Sequence, residues 1–533
     1  MKNSCRILVK ICSKNDAVPP GTAYILCRNF SLKFLCYFSC FERNLVLQIR
    51  RKSGMPKKLI FFTLIFISFL AKNSFAQSLI SDAQTEKFLH ELSDPIFRAA
   101  HLDPQNIKIY IVNDDSINAF VSGGQNVFIN TGLIRKFQTP DALIGVIAHE
   151  TGHIAAGHLA RSGEGIEQAQ NAMFLSYLLG IGAIIAGSPD AGMALISGGS
   201  DSAQRLFMKF TRNQEEAADQ HAIEYLDDIS YPADGLVKLL EIFQTEMIGY
   251  RGQIDEYLLS HPVSQKRIDL IKARTKDKKF TDKKINQKLQ GTMDIVLAKL
   301  EAFIENPDAI YAKYKNRNDE ISNYKKSIAL FRKGNVDESL KLLDEIIDRK
   351  TPLLPNLLKH NSPELGFLYE LKGQILYESG RVQDSILAYN EAIKLLSALD
   401  GAQAKISFAT GILTLNQNDK TLLQLAIKRL EEARIFENEN PFLFKQLANA
   451  YSRMKDEGRS LLALAEYNFL IGDKKKCVKY AKEAKEKLDV SAKVELLRSD
   501  DLLDLAEDEK EKEKEKEKEK EKENEKKDSK KKT

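Results

Sequence analysis

The chain has 533 residues, contains no Trp, and carries a formal net charge of +5 at neutral pH. Its length suggests three or four domains, and its richness in Lys, Glu, Leu and Ile favours helices. Residues 1–76 hold 13 Lys and Arg against two acidic residues, so residues 77–533 have a net charge of −6. This balance argues against the basic surface of a nucleic-acid-binding protein, and no nucleic-acid partner is expected.

Cysteine usage differs between the start of the chain and the rest. Five of the six cysteines lie in the first 40 residues, and only Cys477 lies beyond them. A single cysteine cannot form an internal disulfide. We therefore expect the folded part to be held by core packing, a metal and helix stacking.

Residues 55–76 have the composition of a secretory signal peptide. Met55 is followed by two lysines, an apolar stretch from Leu59 to Ala71, and a small-x-small sequence that ends at Ala76. The apolar stretch is shorter than the roughly 20 residues that span a bilayer. We expect cleavage near Ala76 and export of a soluble mature chain.

Residues 1–54 precede this signal. A signal peptide placed so far from the start is hard to recognise, so we interpret residues 1–54 as flanking sequence upstream of a true start at Met55. The alternative is an organelle transit peptide, because the segment is basic and poor in acidic residues. Arg28 and Lys33 interrupt its apolar cluster, which argues against a membrane span.

Four segments after the cleavage site have the periodicity of regular structure. Residues 78–100 are amphipathic with a helical period, and residues 107–112, 118–121 and 127–129 are rich in β-branched and aromatic side chains. The sequence predicts a helix followed by three strands, the last two forming a glycine-turned antiparallel pair.

This hairpin carries three candidate substrate-binding residues, Asn118, Ala119 and Phe120. An extended peptide could add to an exposed edge strand through main-chain hydrogen bonds, which make little demand on the sequence of the peptide. The alternative is an ordinary hairpin whose edge is covered, and the residues alone leave both open.

The sequence HETGH, residues 149–153, has the pattern of a zinc-hydrolase helix that begins near Thr139. Residues four apart lie on one helix face, so the imidazoles of His149 and His153 can bind one metal ion. Glu150 is offset by about 100°. It can therefore reach a metal-bound water without being a ligand itself.

Two histidines and a water leave zinc one protein ligand short. His158 is rejected as the third ligand, because a continuing helix would point it away from His149. The better candidate is Glu215, followed on a helical pattern by Asp219, which could accept the ring N–H of a zinc-bound histidine. Taken alone, such a pair of carboxylates is more typical of a solvated helix face.

Several motifs together resemble one family. HETGH followed by TRNQEEAAD, residues 211–219, looks like the paired motifs of the HtpX/BepA group of gluzincin-type zinc metalloproteases. NAFVSGGQNVFINTGLI is similar to the family's segment before the metal helix. His261-Pro262 with Arg267-Ile268 resembles its HPxxxxRI element.

This resemblance implies a set of site residues. One zinc ion per chain would be held by His149, His153 and Glu215, with Glu150 as general base and Asp219 supporting a ligand. In periplasmic members the histidine of the HP element can fill the open position of the zinc and gate activity, which assigns that role to His261. His261 could instead stabilise the oxyanion or cap the helix that begins nearby.

Residues 173–187 are apolar on every side and too short to span a bilayer comfortably. We expect a buried or lid helix, and the alternative is peripheral contact with a membrane or with the apolar surface of a client protein. A membrane-inserted protease is excluded on segment length.

Residues 321–490 show weak internal repetition. Small and apolar residues around Gly373 and Gly380 have the spacing of a tetratricopeptide helix pair, and similar placements recur to give about four repeats. Stacked pairs leave a concave groove for polypeptide, whereas the alternative is a plain helical bundle. The stretch that begins at Pro441 resembles the repeat module of BepA-type proteases.

These patterns predict a mainly α-helical protein. An α+β zincin-type metalloprotease domain with a small antiparallel sheet is expected over residues 77–285, a helical connector over 286–320, and an α-helical tetratricopeptide solenoid over 321–490. Residues 491–533 are expected to form a terminal helix and a disordered Lys/Glu tail.

The resemblance also implies a function. The chain would be a periplasmic zinc endopeptidase whose partners are unfolded or assembling outer-membrane β-barrel proteins and their assembly machinery. The alternative is a chaperone-like binding protein, in which the repeat groove does the main work and His261 keeps the zinc site largely shut.

Overall fold

The computed structural model describes residues 78–122, 125–158, 210–249, 261–276, 287–351, 362–415 and 419–506, all within one compact unit, residues 78–533. The predictions for residues 1–76, for the apolar segment 173–187 and for the tail 507–533 lie outside these ranges. No helix in the described ranges is long and apolar enough to cross a membrane.

The first part of this unit combines one sheet with helices. Its strands are β1 (Ser78–Ile80), β2 (Ile109–Asn113), β3 (Ala119–Ser122) and β4 (Asn126–Asn130). Its helices are α1 (Ala83–Ala99), α2 (Thr131–Lys136), α3 (Pro140–Ala155), α4 (described over 210–228), α5 (Asp234–Gly249) and α6 (Gln265–Thr275).

The second part is helical where it is described. Its helices are α7 (Gln287–Ile304), α8 (Pro307–Tyr314), α9 (Glu320–Arg332), α10 (Val336–Lys350), α11 (Pro363–Glu378), α12 (Val382–Leu395), α13 (Ala402–Thr414), α14 (Lys420–Arg434), α15 (Pro441–Arg453), α16 (Glu457–Leu470), α17 (Lys474–Lys487) and α18 (493–506). The predicted class, a helical protein with one small sheet, is confirmed.

The four strands lie in the order β1-β2-β4-β3. β3 pairs with β4 in antiparallel register, as predicted for the hairpin, and β1 is antiparallel to β2. β2 and β4 are parallel, so the sheet is mixed rather than antiparallel throughout. This order places β3 at one edge.

The helix predicted over residues 78–100 is wrong at its start. Residues 78–80 form β1, and α1 begins at Ala83, where the Asp82 side chain accepts the backbone N–H of Thr85 at 3.0 Å. A capping aspartate satisfies a donor that the first helical turn leaves unpaired, and so it fixes where the helix begins. The residues before the cap can then extend and pair with β2.

One face of the sheet packs on α1 and α3 to form the core of the first part. The buried side chains of β2 and β4 alternate along each strand, as a period of two requires, and they are Ile109, Ile111, Val127 and Ile129. The outer face carries an aromatic row, in which Phe128 stacks between Tyr110 and Phe120. The centroid of the Phe128 ring lies 5.0 Å from that of Tyr110 and 4.9 Å from that of Phe120.

Helix α3, which carries HETGH, approaches its neighbours closely at two glycines. A Cβ atom on Gly152 would lie 2.7 Å from the carbonyl oxygen of Ala218 in α4. A Cβ atom on Gly145 would lie 2.6 Å from the backbone nitrogen of Leu236 in α5. Such approaches require the absence of a side chain. They bring α4, with Glu215, against the metal-binding motif.

The helices of the second part are joined by turns of one recurring type. The backbone N–H groups of Asn335, Arg381 and Asp456 each donate to the carbonyl five residues earlier, at 2.9, 2.9 and 3.0 Å. The residue before each has positive φ, as helix-ending turns of this kind require. Repetition of the turn indicates a repeated helix-pair unit, and its assignment as tetratricopeptide remains a prediction.

Charged side chains join the two parts. Asp82, the cap of α1, forms an ion pair with Lys299 of α7, and Lys87 of α1 lies 3.3 Å from Asp400. The side chain of Lys299 is nearly buried. Removal of one partner of such a pair leaves a charge in apolar surroundings, which is strongly destabilising.

Candidate metal centre

Four side chains from three elements converge beside α3. His149, His153, Glu215 and His261 each offer one ligand atom, and these atoms lie within 4.8 Å of one another. The two Nε2 atoms of the HETGH histidines are 3.2 Å apart, and each lies 3.3 Å from one oxygen of Glu215. Nδ1 of His261 lies 3.1 Å from Glu215 and 3.4 Å from Nε2 of His149.

This donor set fits a zinc ion. Imidazole nitrogens and a carboxylate oxygen are donors that zinc takes in catalytic sites, and three of them leave one position open. His149, Glu215 and His261 are buried, so the converging atoms are largely removed from bulk water. Residues as distant in sequence as His149 and His261 meet here because α3, α4 and the segment before α6 pack together.

Glu150 lies next to this cluster but outside the set of converging donors. Its side chain is 1% exposed, and its Oε1 atom accepts no hydrogen bond from the described residues. The closest charged neighbour recorded for that atom is Nε2 of His261, at 3.6 Å. A buried carboxylate oxygen without a donor can receive a proton or a water, and burial raises the pKa of Glu150.

Asp219 and Arg267 contact the converging side chains from behind. Oδ1 of Asp219 lies 3.0 Å from Nδ1 of His149, on the side of the ring opposite to the cluster. Arg267 donates to both oxygens of Asp219 at 2.7 and 2.8 Å, and its Nη1 lies 2.9 Å from Glu215. The same Nη1 donates to the carbonyl oxygen of Pro262 at 2.9 Å, so Arg267 also ties down the segment that carries His261.

Comparison with known proteins assigns the first part of the chain. Residues 83–275 match the model of Peptidase family M48. They form an M48 peptidase domain.

Three relatives are similar to this chain, two of them over most of its length. The beta-barrel assembly-enhancing protease of Yersinia pestis is 26% identical over 396 residues, 73% of this chain and 70% of the relative. The protein of that name from Escherichia coli (strain K12) is 26% identical over 399 residues, with the same coverage. A putative beta-barrel assembly-enhancing protease of Vibrio cholerae is 28% identical over 193 residues, 36% of this chain and 39% of the relative.

The chain is thus a zinc metalloprotease similar to these proteins. The cluster of donors lies inside the M48 domain and supplies the zinc-binding chemistry that such an enzyme needs.

Burial and charge interactions inside the M48 domain hold Glu215 and His153 in forms that suit a cation, whereas they favour the protonated form of His149. Burial alone would raise the pKa of Glu215, but His261, His149 and His153 hold that pKa well below its usual value. Burial lowers the pKa of His153 to about 3, which keeps its imidazole neutral. Although burial opposes it, contact with Asp219 and Glu215 raises the pKa of His149 to about 10. A metal ion must therefore displace a proton there.

The predicted edge strand lies beside the metal helix. Ala119 and Phe120 are the first residues of β3, which contacts α3, and Asn118 immediately before them is buried. The Asn118 carbonyl accepts the backbone N–H of Asn130 at 3.0 Å. Among the described strands only β4 pairs with β3, so the main chain on the other side of β3 faces away from the sheet.

His158 lies outside the group of converging donors, on the far side of His153. Its rejection as a ligand agrees with this geometry. The reason given from the sequence was a continuing helix, and that reason is wrong, because α3 ends at Ala155 and Gly157 adopts a φ of +64°.

Proposed function

We propose that this zinc metalloprotease is an endopeptidase of the cell envelope that acts on unfolded or misassembled proteins, with assembling outer-membrane β-barrel proteins as its clients. The client class is taken from the names of the relatives, of which the chain covers 70%. The observation that carries the peptidase chemistry is the buried Glu150 carboxylate beside a converging His149, His153 and Glu215.

In this proposal His149, His153 and Glu215 are the zinc ligands. These three side chains would hold the zinc, which when bound would supply a water of lowered pKa and an electrophile for the scissile carbonyl. Glu150 takes the proton from the attacking water and passes it to the leaving amine, for which its raised pKa is suited. Asp219 holds His149 with Nε2 facing the cluster.

His261 is proposed as the gate of this site. Its Nδ1 atom lies 3.1 Å from Glu215, so its ring occupies space next to the ligands that an open coordination position would need. The alternative of a helix cap has less support, because Ser264 is the residue that caps α6, its side chain accepting the backbone N–H of Arg267 at 3.3 Å. Stabilisation of the oxyanion by His261 remains the alternative for an opened site.

Substrate is proposed to bind along β3, at Asn118, Ala119 and Phe120. A polypeptide that pairs with this edge becomes a fifth strand, held by main-chain hydrogen bonds. Every second side chain of that strand faces outward beside Phe120, at the end of the aromatic row. The pairing therefore suits extended chains with alternating apolar residues, which are typical of strands of membrane β-barrels.

The organisation predicted from the sequence completes the proposal. Residues 55–76 would direct export to the periplasm, residues 77–285 would form the catalytic domain, and 286–320 the connector. Residues 321–490 would form the tetratricopeptide solenoid, and 491–533 the terminal helix and tail.

The chaperone-like alternative rests on a cleft in the second part. Phe444, Leu447 and Leu462 line it, and the helix 493–506 presents Val494 to it with a side chain that is 74% exposed. Charged side chains, among them Arg434, Arg459 and Glu495, also line this cleft, and a cleft of such mixed lining can hold an unfolded segment without cleavage. In that case the zinc site would be dispensable for the main activity.

A comparison of variants tests the proposal and separates it from the alternative. Digestion of an unfolded protein substrate by the zinc-loaded full-length chain is measured beside Glu150→Gln, His261→Ala and a control, Glu224→Gln, whose side chain on α4 is 64% exposed. We expect Glu150→Gln to lose about 100- to 10,000-fold in rate. His261→Ala should exceed the wild type and the control should match it.

The same variants are then assayed for suppression of aggregation of an unfolded β-barrel protein. One result would replace the peptidase by the binding alternative. In that result neither the wild type nor any variant cleaves although about one zinc is bound per chain, and Glu150→Gln suppresses aggregation as well as the wild type does.

A further inference from the structure

We propose that His158 is a positioning residue, which holds the ring of His153 in the orientation and tautomer that metal binding needs. This inference rests on the zinc site of the proposed function. Nδ1 of His158 lies 2.9 Å from Nδ1 of His153, and the ring centroids are 5.0 Å apart at an interplanar angle of 71°. This contact is made to the nitrogen of His153 that faces away from the cluster.

The local backbone explains how His158 reaches this position. On a continuing helix a residue five places later lies about 140° around the axis, so His158 would project away from His153. The helix instead ends after Ala155, and Gly157 adopts a φ of +64° while its N–H donates to Ile154 at 3.0 Å. This left-handed turn, which favours glycine, returns the chain toward the helix it has just left.

A second contact anchors the turn to the helix that carries Glu215. The side-chain amide of Gln214 donates to the carbonyl oxygen of His158 at 3.4 Å. Gln214 directly precedes Glu215, so this hydrogen bond fixes the backbone of His158 relative to a proposed ligand as well as relative to α3. The position of the His158 ring is thus set from two elements.

The roles of the two ring nitrogens of His153 determine which histidine donates the hydrogen bond between His153 and His158. Nε2 of His153 faces the cluster, 3.3 Å from Glu215, and must be unprotonated to give its lone pair to a metal. The proton of a neutral His153 then sits on Nδ1 and is donated to His158. It follows that Nδ1 of His158 is the acceptor and that its own proton is on Nε2.

His158 therefore does for His153 what Asp219 does for His149. Each of these imidazoles has a polar atom close to its far nitrogen, a carboxylate oxygen at 3.0 Å for His149 and an imidazole nitrogen at 2.9 Å for His153. Groups of this kind orient the ligand ring and raise its basicity, and their loss weakens metal binding by about 10- to 100-fold. The use of a neutral acceptor adds no further negative charge to a site that already holds the carboxylates of Glu150, Glu215 and Asp219.

The test measures zinc affinity rather than cleavage. Full-length wild type, His158→Leu and His158→Asn are titrated with zinc against a competing chelator, beside a control, His90→Leu, whose histidine pairs with Asp94 on the surface of α1. The amide oxygen of Asn can replace the Nδ1 acceptor, whereas Leu keeps the bulk without it. We expect His158→Leu to weaken zinc binding about 10- to 100-fold, with Asn and the control close to wild type.

A second substitution keeps the proposal open to refutation if His158→Leu does not fold. Gly157→Val strains the left-handed turn and displaces the imidazole while leaving it in the chain. We expect it to weaken zinc binding as His158→Leu does, with a changed absorption spectrum when cobalt replaces zinc. Wild-type zinc affinity in His158→Leu overturns the role of His158. If the Leu variant cannot be obtained, wild-type zinc affinity in Gly157→Val overturns it.

The outcomes separate this inference from the proposed function. If the wild type binds zinc and cleaves but His158→Leu binds zinc equally well, only the role of His158 is refuted. If the wild type binds no zinc, the proposed function fails first.

Discussion

The carbonyl oxygen of Ala218 lies 2.7 Å from the point where a β-carbon on Gly152 would stand. Gly152 lies inside the HETGH motif, and Ala218 immediately precedes Asp219 on α4. The fourth residue of the HETGH motif therefore sets how closely the helix bearing Glu215 can approach. A side chain there pushes against backbone, which cannot rotate away.

We expect Gly152→Ala to lower the free energy of unfolding by about 1–3 kcal/mol and to weaken zinc binding, because the ligands on α3 and α4 move apart. The matched control is Gly291→Ala in α7, where a Cβ atom would meet nothing within 4 Å. This substitution should stabilise by about 0.5–1 kcal/mol, as expected for Ala in place of Gly inside a helix. Urea unfolding and zinc titration of both variants measure the difference, and equal behaviour would contradict the prediction.

Loss of Arg267 should affect both stability and metal binding. Its guanidinium is 3% exposed and contacts two buried carboxylates, Asp219 and Glu215. Arg267→Met leaves these charges without their donor, which we expect to cost about 3–5 kcal/mol in the metal-free protein. The control Lys266→Met removes an ion pair whose lysine is 68% exposed, and it should change stability by less than about 1 kcal/mol. Unfolding in the presence of EDTA checks the prediction, which would fail if the two variants were similar.

The junction between the two parts should make stability depend on pH. Burial, the first cause, raises the pKa of Glu86 and of Glu370 to about 7, and the charge of nearby Asp82 adds to the shift of Glu370. In the unfolded chain such carboxyls titrate near 4.5, so the folded form holds extra protons between about pH 4.5 and 7. The free energy of unfolding that protonation of these two carboxyls contributes is fully present below pH 4.5 and is lost as the pH rises through 7.

Glu370→Gln tests this dependence, because an amide stays neutral at every pH. We expect the variant to gain stability relative to wild type by about 1–2 kcal/mol at pH 8, and little at pH 4.5. The surface substitution Glu224→Gln serves as the control and should show no such difference. Thermal unfolding in EDTA at both pH values measures it. A gain for Glu370→Gln that is the same at the two pH values would refute the assignment.

The aromatic row should contribute to substrate binding at the edge of the sheet. Phe120 ends the row on β3, and its ring is stacked on Phe128 with the planes 5° apart. Phe120→Ala removes the apolar surface beside which every second substrate residue would lie, so we expect KM to rise about 5- to 10-fold while kcat changes little. Leu79→Ala, at the opposite edge strand β1 and 55% exposed, is the control. Steady-state kinetics that show a loss in kcat alone would place Phe120 outside the binding edge.

Local signals in the sequence predicted much of the catalytic domain. The helix that carries HETGH and the hairpin before it follow from apolar periodicity and turn residues, which act over a few positions. β1 was missed because three residues are too few to show a period, and their strand exists only through pairing with β2 about 30 residues later. The parallel pairing of β2 with β4 was missed for the same reason, since register between distant segments leaves no local trace.

The supporting residues of the metal site show the same limit. Arg267 was noticed as part of a motif, but its contacts with Asp219, Glu215 and Pro262 depend on how α4 and α6 pack. His158 was judged from the geometry of a continuous helix, and the available signal against that geometry was Gly157, a residue that ends helices by adopting positive φ.

The hydrogen bond from Arg267 to the carbonyl oxygen of Pro262 has a consequence for the resting enzyme. Movement of His261 away from the ligands carries Pro262 with it, and a buried donor then loses its acceptor. A loss of this kind costs about 1–3 kcal/mol. If His261 gates the site as proposed, that free energy alone keeps roughly 85–99% of molecules in the closed state, and a cell could hold the protease as a latent pool. A client protein whose binding free energy favours the open form by the same amount would offset the cost of opening. Such a client would itself raise the population of active enzyme.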